Sequence, residues 1–554
     1  MFFVGEQHRR DLLPVLHLAA DAEHLFDHDH GIYVPGRLYE EYLASDEFDP
    51  DHRWNVPANY RGRGRAWERP AEDDLQRQIV LHHCDPGGSC DFAAPVGLRT
   101  HGNVSRTFPV KTLRVYARRD YGPAELEHAF FGDRAEERHR RLLLRNAGND
   151  WNGTLLVDGF LQSLGAHLGN ETQAYQPAVL YLNGEYWGVH NLRERYDQHY
   201  LELTYGLDAD EVVILGRRLE VEHGTEQDLD GLRALLDLLA AEVGPRLEEV
   251  VPPPGSEPPD EETVLLAPPV GTLPAELRDL LEQQVDVDAL IDYLALELFS
   301  GNNDWPRNNV RLWRARSAVE GVPVADGRWR WMVFDLDQAG GGVGGFDPSV
   351  SLLDRLLTGL DDPAASHGLP TLTQALLADE EYRARLLTRL ADHLNTTFAP
   401  QRTVPELERL VAQLEPEIAS HAARWPTFGT VDEWETRIGT LQAFLSARPA
   451  EQFEDLDAVL GLGGTFTVTV DPAVGGRVQV GTLDLDAELP MAVDAEGTFS
   501  GTYFRDVPLE VVARPDPGYR FVRWDGADGA GATDAARVLL GGEDVELTPV
   551  FAPS

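Results

Sequence analysis

The sequence predicts an α+β fold followed by a small all-β module. Residues 1–195 contain short runs in which apolar and polar residues alternate, as in half-buried strands, together with one main helix. Residues 196–455 show apolar residues mostly at helical spacing, and residues 462–554 return to alternating strands between Gly, Asp and Pro turns. We take these three regions as the predicted domains.

The strand-rich region contains a strong hairpin signal. The segment LPVLHL predicts a first strand, and three further alternating runs follow between residues 77 and 118. Residues 154–168 have helical periodicity after a polar start. Two apolar runs then flank Asn183 and Gly184, a dipeptide typical of tight β-hairpin turns.

Helical patterns dominate the second region. They cover residues 228–242, 275–299, 370–396, 403–421 and 431–446. An acidic, Pro-rich insertion near 245–270 interrupts them and is interpreted as a solvated excursion.

The charge balance excludes some classes of partner. The chain has 93 acidic and 48 basic residues, a formal net charge of −45. Such a field repels nucleic-acid phosphates and anionic membrane surfaces, so we expect no nucleic-acid partner. The acidity has two readings, adaptation to high salt or the composition of an acidic exported protein.

Membrane and cysteine signals are sparse. No stretch is apolar enough for a membrane span, and the first residues lack a normal signal-peptide core, so the protein is either cytoplasmic or missing an export segment. Cys84 and Cys90 are the only cysteines, which permits one local disulfide but neither a disulfide framework nor a zinc site by themselves.

The single lysine of the chain follows a polar turn. Every other basic residue is arginine, and Lys111 opens a predicted strand after the turn Gly102, Asn103, Val104, Ser105, Arg106. A lysine ammonium is compact where the guanidinium is a wide fork, so a tight phosphate pocket can require lysine. A Gly-containing turn between strands also offers backbone N–H groups to phosphates. The alternative is that Lys111 is a surface residue that was retained by chance.

An Asp and an Asn lie five positions apart after a predicted helix. Asp304 and Asn309 would give a phosphoryl-transfer site a carboxylate to accept the hydroxyl proton and an oxygen ligand for a metal. Asn308 is adjacent, so the choice between the two asparagines stays open. The alternative is an ordinary polar turn between helix and strand.

A strand ending in two aspartates precedes a glycine run. Asp335 and Asp337 are candidate ligands for Mg²⁺ that bridges phosphates. We expect the two carboxylates to point to opposite sides and to have separate roles, one on the metal and one bracing the loop or holding a second metal. An acidic strand end before a flexible glycine loop is the alternative. The order of all these parts is that of a two-lobed kinase.

At this point the sequence resembles the spore coat protein H (CotH) kinase family through most of residues 14–450. Six segments in register carry the resemblance; among them are GLRTHGNVSRTFPVKTLRVYAR, LLLRNAGNDWNGTLLVDGFLQSL, LELFSGNNDWPRNNVRLW and WRWMVFDLD. The resemblance implies a two-lobed, atypical protein-kinase-like domain that uses ATP and Mg²⁺ or Mn²⁺ to phosphorylate Ser or Thr of coat proteins.

The resemblance also implies roles for individual residues. Lys111 would hold the ATP phosphates, Asp304 would be the catalytic base, and Asn309, Asp335 and Asp337 would hold the metal. Glu194 matches a family glutamate at the expected crossing between lobes. Asp150 and Asp158 match as well, although Val157 stands where the family often has arginine, which argues against a contact between Asp158 and the lysine.

The C-terminal region resembles β-rich repeat domains of bacterial surface proteins, which implies adhesion or spacing and an extracytoplasmic location. From the net charge we expect a basic, Ser/Thr-rich protein substrate. The acidic clusters are further candidates for structural Ca²⁺. Two other functions remain: a catalytically idle kinase-like adhesin, and a transferase that moves AMP rather than phosphate.

Overall fold

The structure is a computed structural model, and it confirms the mixed α+β class. It describes residues 13–51, 56–62, 75–132, 134, 136–246, 248–249, 266–267, 269–357, 368–485, 493–494, 497–526, 531–534 and 536–554. The opening residues 1–12 and most of the predicted insertion near 245–270 lie outside these ranges.

The N-terminal half is built around a barrel. In chain order its elements are β1 (Val15–Ala19), α1 (Ala22–Phe26), α2 (Gly36–Leu43), β2 (Arg77–Cys84), β3 (Phe92–Thr100), β4 (Leu113–Tyr116), β5 (Leu126–Glu127), β6 (Arg138–His139), β7 (Arg141–Arg145), α3 (Val157–His167), β8 (Glu171–Thr172), β9 (Tyr175–Leu182) and β10 (Glu185–Glu194). The barrel runs in the order β1-β2-β3-β4-β7-β10-β9, and parallel pairing of β1 with β9 closes it. Closure leaves these strands without a free edge.

The predicted hairpin is confirmed. Strands β9 and β10 pair in antiparallel fashion on either side of Asn183 and Gly184, whose φ angles are 49° and 85°. Two positive φ angles are the requirement of the turn that suits the right-handed twist of a hairpin, and Asn-Gly adopts them readily.

Helices dominate the next region. Its elements are α4 (Gln198–Tyr205), β11 (Val212–Leu215), β12 (Val221–His223), α5 (Asp230–Val243), β13 (Glu248–Glu249), β14 (Leu266–Ala267), α6 (Ala275–Gln284), α7 (Val287–Ser300), β15 (Leu312–Ala315), β16 (Arg330–Val333), α8 (Leu353–Leu357), α9 (Leu369–Ala378), α10 (Glu380–Asn395), α11 (Pro400–Arg424) and α12 (Val431–Leu460). A sheet of order β12-β11-β15-β16-β8 joins this region to the first half, since β8 pairs in parallel with β16.

Two predicted helices are each divided by an aspartate. The helix predicted over 275–299 ends at Gln284 and restarts at Val287, because Asp286 caps α7 by accepting from the N–H of Ala289 at 3.2 Å. The helix predicted over 370–396 divides at Asp379, whose carboxylate accepts from two N–H groups at the start of α10. Side-chain capping of this kind satisfies the free donors of a new helix.

Helix α7 passes through the core and leads into the loop that contains Asp304. Most of its residues are buried, as expected of a helix that packs on every side. It ends at Gly301, which has the left-handed conformation common after a helix. The loop that follows carries Asp304 to the strand β15.

The C-terminal region folds as two sheets. The strands are β17 (Thr465–Val470), β18 (Gly476–Val480), β19 (Leu483–Leu485), β20 (Phe499–Phe504), β21 (Leu509–Pro515), β22 (Tyr519–Asp525), β23 (Gly531–Asp534), β24 (Arg537–Leu540) and β25 (Val545–Pro553). Their orders are β20-β17-β25-β22 and β19-β18-β21-β24-β23.

The β region contacts helix α10 through a buried carboxylate. Asp392 accepts from the Thr482 N–H and hydroxyl, each at 2.7 Å, and from the Tyr503 hydroxyl at 2.8 Å. Asn395 exchanges two hydrogen bonds with the backbone of Thr502. These polar contacts fix how the β region sits on the helix.

Two smaller features complete the fold. Cys84 and Cys90 form a disulfide across the turn between β2 and β3. Within the part of the chain that the structure describes, no helix combines the length and the apolar character needed to cross a bilayer.

Candidate functional site

A cleft of about 600 Å³ lies between the barrel and the loops that follow α7 and β16. This volume is in the range of nucleotide and small-molecule sites. On the barrel side it is lined by the turn 101–105, the start of β4 and the segment 145–149; on the other side it is lined by 308–311 and 334–338, with Asp304 between them.

The Asp304 loop is tied to the strand end at Asp335. The Asp304 carboxylate accepts from the side-chain amides of Asn308 at 2.7 Å and Asn309 at 3.3 Å. The Asn309 amide also donates to the backbone oxygen of Asp335 at 3.3 Å. Asn309 and Asp335 have φ angles of 57° and 65°, in the left-handed region that Asn and Asp adopt more readily than other non-glycine residues. The sequence prediction that Asp304 and Asn309 act together is consistent with this geometry.

Asp335 and Asp337 share one guanidinium. A single Arg145 nitrogen donates to both carboxylates, at 2.6 Å for Asp337 Oδ2. The prediction that the two aspartates point to opposite sides is therefore wrong, because both carboxylates converge on one nitrogen atom. An extended chain would already place residues two apart on one side, and the positive φ of Asp335 shows that the segment is not extended here. Asn149 supports the pair by donating its N–H and its amide to the Asp337 carboxylate at 2.9 and 3.1 Å.

Buried negative charge accumulates at this point. Burial and the adjacent Asp335 carboxylate raise the pKa of Asp337 well above its usual value. Burial acts to lower the pKa of Arg145, but the carboxylates of Asp335, Asp158 and Asp337 outweigh it and raise that pKa. Arg145 faces all three carboxylates and Arg193 pairs with Asp158, so two guanidiniums face three carboxylates.

Asp158, on α3, supports the pair from behind. Its carboxylate accepts from the Leu336 N–H at 3.0 Å and pairs with Arg193 at 3.1 Å. Burial alone would raise its pKa, but Arg193 and Arg145 lower the pKa of Asp158 to about 2. The Gln162 amide also donates to this carboxylate, at 2.9 Å.

Lys111 is placed away from the cleft. Its ammonium donates to the backbone oxygens of Arg106 at 2.6 Å and Phe108 at 2.9 Å and lies 4.5 Å from the centre of the Tyr60 ring. Burial lowers the pKa of Lys111 to about 8. Thr112 and Arg114 line the cleft, whereas Lys111 is absent from the lining residues that the structure describes. The lysine thus braces the turn from its inner side.

The turn itself is part of the cleft wall. Gly102, Asn103 and Ser105 line it, and Arg106 does not. Gly102 has a φ of 103°, and a Cβ there would come within 2.1 Å of the Ser105 hydroxyl oxygen. Only glycine fits this position.

Glu194 lies outside the cleft, next to the residue that precedes β9. Its carboxylate accepts from the Ala174 N–H at 2.8 Å and contacts Arg134 at 3.4 Å. It does not appear among the described lining residues of the cleft. Asp150 is also internal, since it accepts from the Thr154 N–H and hydroxyl at 2.6 and 2.7 Å.

Sequence reasoning missed the arginines of the cleft. Arg145 lay within a segment quoted for the family resemblance, but nothing in its spacing relative to Asp335 marked it. In a chain of net charge −45, the described cleft lining includes the following arginines: Arg114, Arg145, Arg195, Arg217 and Arg311. Guanidinium groups in such number are typical of a phosphate site.

Carboxylate and amide oxygens beside arginines define a site suited to a metal-bound phosphate group, that is, to a phosphotransferase. The family model described as CotH kinase protein matches residues 98–451, more than half of the chain, and the chain belongs to this family of kinases. The matched range contains every residue described above for the cleft. None of the curated proteins compared with the chain matches it significantly.

Proposed function

We propose that the chain is an ATP- and divalent-metal-dependent protein kinase that phosphorylates Ser or Thr of a coat or surface protein. The observation that carries this proposal is the convergence of Asp304, Asn309, Asp335 and Asp337 with Arg145 on one cleft. In its finer architecture we interpret the barrel and the helical region as the two lobes of an atypical kinase.

A divalent metal fits the paired carboxylates. Asp335 and Asp337 hold more negative charge than Arg145 neutralises, and Mg²⁺ or Mn²⁺, which prefer oxygen ligands, would offset it. Asn309 suits the metal better than Asn308, because the Asn308 side-chain oxygen already accepts from Arg217 at 2.8 Å. Bound metal would supply charge neutralisation at the phosphates.

Asp304 is proposed as the base. It is half-buried at the mouth of the cleft, and the amides of Asn308 and Asn309 fix the orientation of its carboxylate. In the reaction the acceptor hydroxyl oxygen bonds to the γ-phosphorus, the bond from that phosphorus to the ADP oxygen breaks, and the hydroxyl proton passes to Asp304. ADP leaves with the electron pair of the broken bond.

The cations of the cleft are proposed to hold phosphates. Arg114 and Arg195 lie on the barrel side, and Arg217 and Arg311 lie opposite. A direct contact between Lys111 and phosphate stays a prediction, and its observed bonds favour an indirect role, which is to hold the backbone of the turn 102–105 in place.

The acceptor and the location are proposals from charge and domain content. A net charge of −45 favours a basic, Ser/Thr-rich protein acceptor. We propose that the two C-terminal sheets serve adhesion or spacing at a cell surface, with the kinase outside the cytoplasm. Structural Ca²⁺ at the acidic clusters is a further proposal that a metal titration would address.

The test uses ATP labelled in two positions. Purified chain is incubated with Mg²⁺ or Mn²⁺ and a basic Ser-rich peptide, from low to molar salt, beside Asp304→Asn and Lys111→Arg. Asp237→Asn, on the exposed face of α5, is the matched control. Transfer of the γ-label that Asp304→Asn abolishes and Asp237→Asn retains would support the proposal.

Two other results would replace the kinase proposal with a different function. Transfer of label only from α-labelled ATP would mean AMP transfer on the same fold. No transfer, together with no ATP-dependent shift of the melting temperature, would favour an idle adhesin. A preference for acidic over Lys/Arg-rich peptides at low salt would overturn the substrate class alone.

A further inference from the structure

Two histidines and an aspartate meet at the end of the barrel, on the turn that the disulfide closes. His83 Nδ1 lies 2.8 Å from His128 Nε2 and 3.5 Å from Asp85 Oδ1. One ligand atom from each of the three residues lies within 4.8 Å of the other two. We propose that His83, His128 and Asp85 form a binding site for a transition metal of the Zn²⁺ type, separate from the phosphotransfer cleft.

The ligand chemistry favours zinc over the metals of the cleft. Two imidazole nitrogens with one carboxylate suit Zn²⁺, Cu²⁺ or Ni²⁺, whereas Mg²⁺ and Ca²⁺ prefer oxygen ligands. The 2.8 Å separation of His83 Nδ1 and His128 Nε2 is that of a hydrogen bond, so one of these two nitrogens accepts and carries no proton. A neutral imidazole is the form that binds metal.

His83 is held in position by its surroundings. The residue is 3% exposed and lies edge-on to the Phe130 ring at 5.4 Å. Its Nε2 is buried and has no hydrogen-bond partner among the residues that the structure describes, and the described polar contacts of this side chain are made through Nδ1, toward the proposed site. The ring of His128 packs on Phe92 with the centroids 4.7 Å apart.

The turn that carries Asp85 is fixed as well. The Asp85 N–H donates to Ser89 at 2.8 Å, the Gly88 N–H donates back to Asp85 at 2.8 Å, and the Cys84–Cys90 disulfide closes the turn. The Asp85 side chain is 55% exposed, which leaves room for water to complete the coordination. Ligands that are already in place reduce the entropy cost of binding.

The local charge attracts a cation. Besides Asp85, the carboxylates of Glu137 and Asp91 act on His128.

The proposed zinc site is also remote from the cleft. Strand β3 begins at Phe92, beside the histidines, and ends at Thr100, just before the turn 101–105. At the rise of a β-strand this separation is about 25 Å. Zinc bound here would join the end of β2 to the segment at His128 and would take no part in phosphate transfer.

The experiment is a calorimetric titration with Zn²⁺. Full-length chain without a polyhistidine tag is stripped with chelator, dialysed and titrated in the presence of millimolar Mg²⁺. We expect one tight zinc per chain and a higher melting temperature when it is bound. His128→Gln, at a half-buried position, and Asp85→Asn, at an exposed one, are each expected to weaken binding at least about 10-fold.

Two matched controls locate the zinc. His24→Gln lies in an exposed cluster with Asp21 and Glu23, and its binding should equal that of the unchanged protein. Asp337→Asn reports on the cleft. Zinc binding that survives both His128→Gln and Asp85→Asn, or that Asp337→Asn or His24→Gln removes, would overturn the proposal, as would the absence of tight binding to the unchanged chain.

Discussion

The Arg145 guanidinium donates to Asp337 Oδ2 at 2.6 Å across 192 residues of sequence. This bond joins the end of β7 to the segment that follows β16, and so it links the two sides of the cleft. The same nitrogen contacts Asp335, so one cation balances two carboxylates.

Arg145→Gln should destabilise the metal-free protein. Removing one partner of a buried ion pair typically costs about 3–5 kcal/mol, because the remaining charge stays buried. We expect the free energy of unfolding to fall by about 3 kcal/mol in chelator and to recover partly with Mg²⁺, as measured by urea denaturation. Arg233→Gln, at an exposed pair, is the control. An equal loss with and without Mg²⁺ would contradict a metal site at the aspartates.

Asp304→Asn should lower kcat and leave nucleotide binding intact. Loss of a general base reduces the rate about 10²–10⁴-fold. The amide keeps the size of the side chain and one of its two acceptor contacts, and the nucleotide-binding arginines are not changed. Steady-state transfer and equilibrium ATP binding, measured beside Asp237→Asn, separate the two effects. A variant with normal kcat would remove Asp304 from the mechanism.

Lys111→Met tests whether the lysine braces the turn or touches phosphate. Two backbone oxygens lose their charged donor, and we expect a stability loss of about 1–3 kcal/mol with a raised KM for ATP. At saturating ATP, kcat should fall less than about 10-fold, because the reacting groups remain in place. A fall of about 100-fold in kcat at unchanged stability would instead indicate direct contact with the transferred phosphate.

Glu297→Gln tests a buried carboxyl of α7. Burial raises the pKa of Glu297 to about 8, so the folded protein keeps this proton, whereas the unfolded chain loses it above the ordinary glutamate pKa of 4.5. The stability contributed by the protonated group is complete below pH 4.5 and is lost as pH rises toward 8. The variant has no proton to lose at this position. Its stability relative to the unchanged protein should therefore grow between pH 5 and 7.5, by at most about 1.4 kcal/mol per pH unit.

The measurement is urea unfolding at the two pH values, beside an exposed control, Glu226→Gln. Parallel stability curves for the Glu297 variant and the unchanged protein would show that Glu297 is charged in the fold.

Tyr503→Phe tests the contact between the β region and α10. The Asp392 carboxylate loses one of its hydrogen-bond donors, which should cost about 1–2 kcal/mol. Because the bond spans two regions, calorimetry should show the β region melting earlier than the helical region. Val522→Ala, on exposed β22, is the comparison. A single unshifted transition would show that the contact contributes little.

Local patterns predicted much of the fold. The Asn183–Gly184 turn follows from the backbone freedom of its two residues, and the alternation around it identifies the strands. The prediction of helices over 275–299 and 370–396 failed at their interruptions, because Asp286 and Asp379 act as caps only where the tertiary structure bends the chain. Short-range spacing contains no such information.

The grouping of the candidate residues was predictable where they are neighbours in sequence, while their roles stay predictions. Asp304 and Asn309 lie in one loop, and Asp335 and Asp337 end one strand, so their types and spacing indicated a metal-phosphate site. Arg145 contacts them from 190 residues away, which no spacing reveals. The sequence also could not predict which way the Lys111 side chain points, because this depends on which face of the barrel wall the residue occupies.

The enclosure of Lys111 gives this protein an unusual chemical property. The only side-chain amine of the chain is 5% exposed beneath the turn 102–108. Reagents that acylate amines therefore meet no accessible lysine in the folded barrel, and they modify position 111 only after the turn has opened. The chain therefore contains a single lysine whose modification, read apart from that of the α-amine, reports local unfolding next to the cleft without an introduced label.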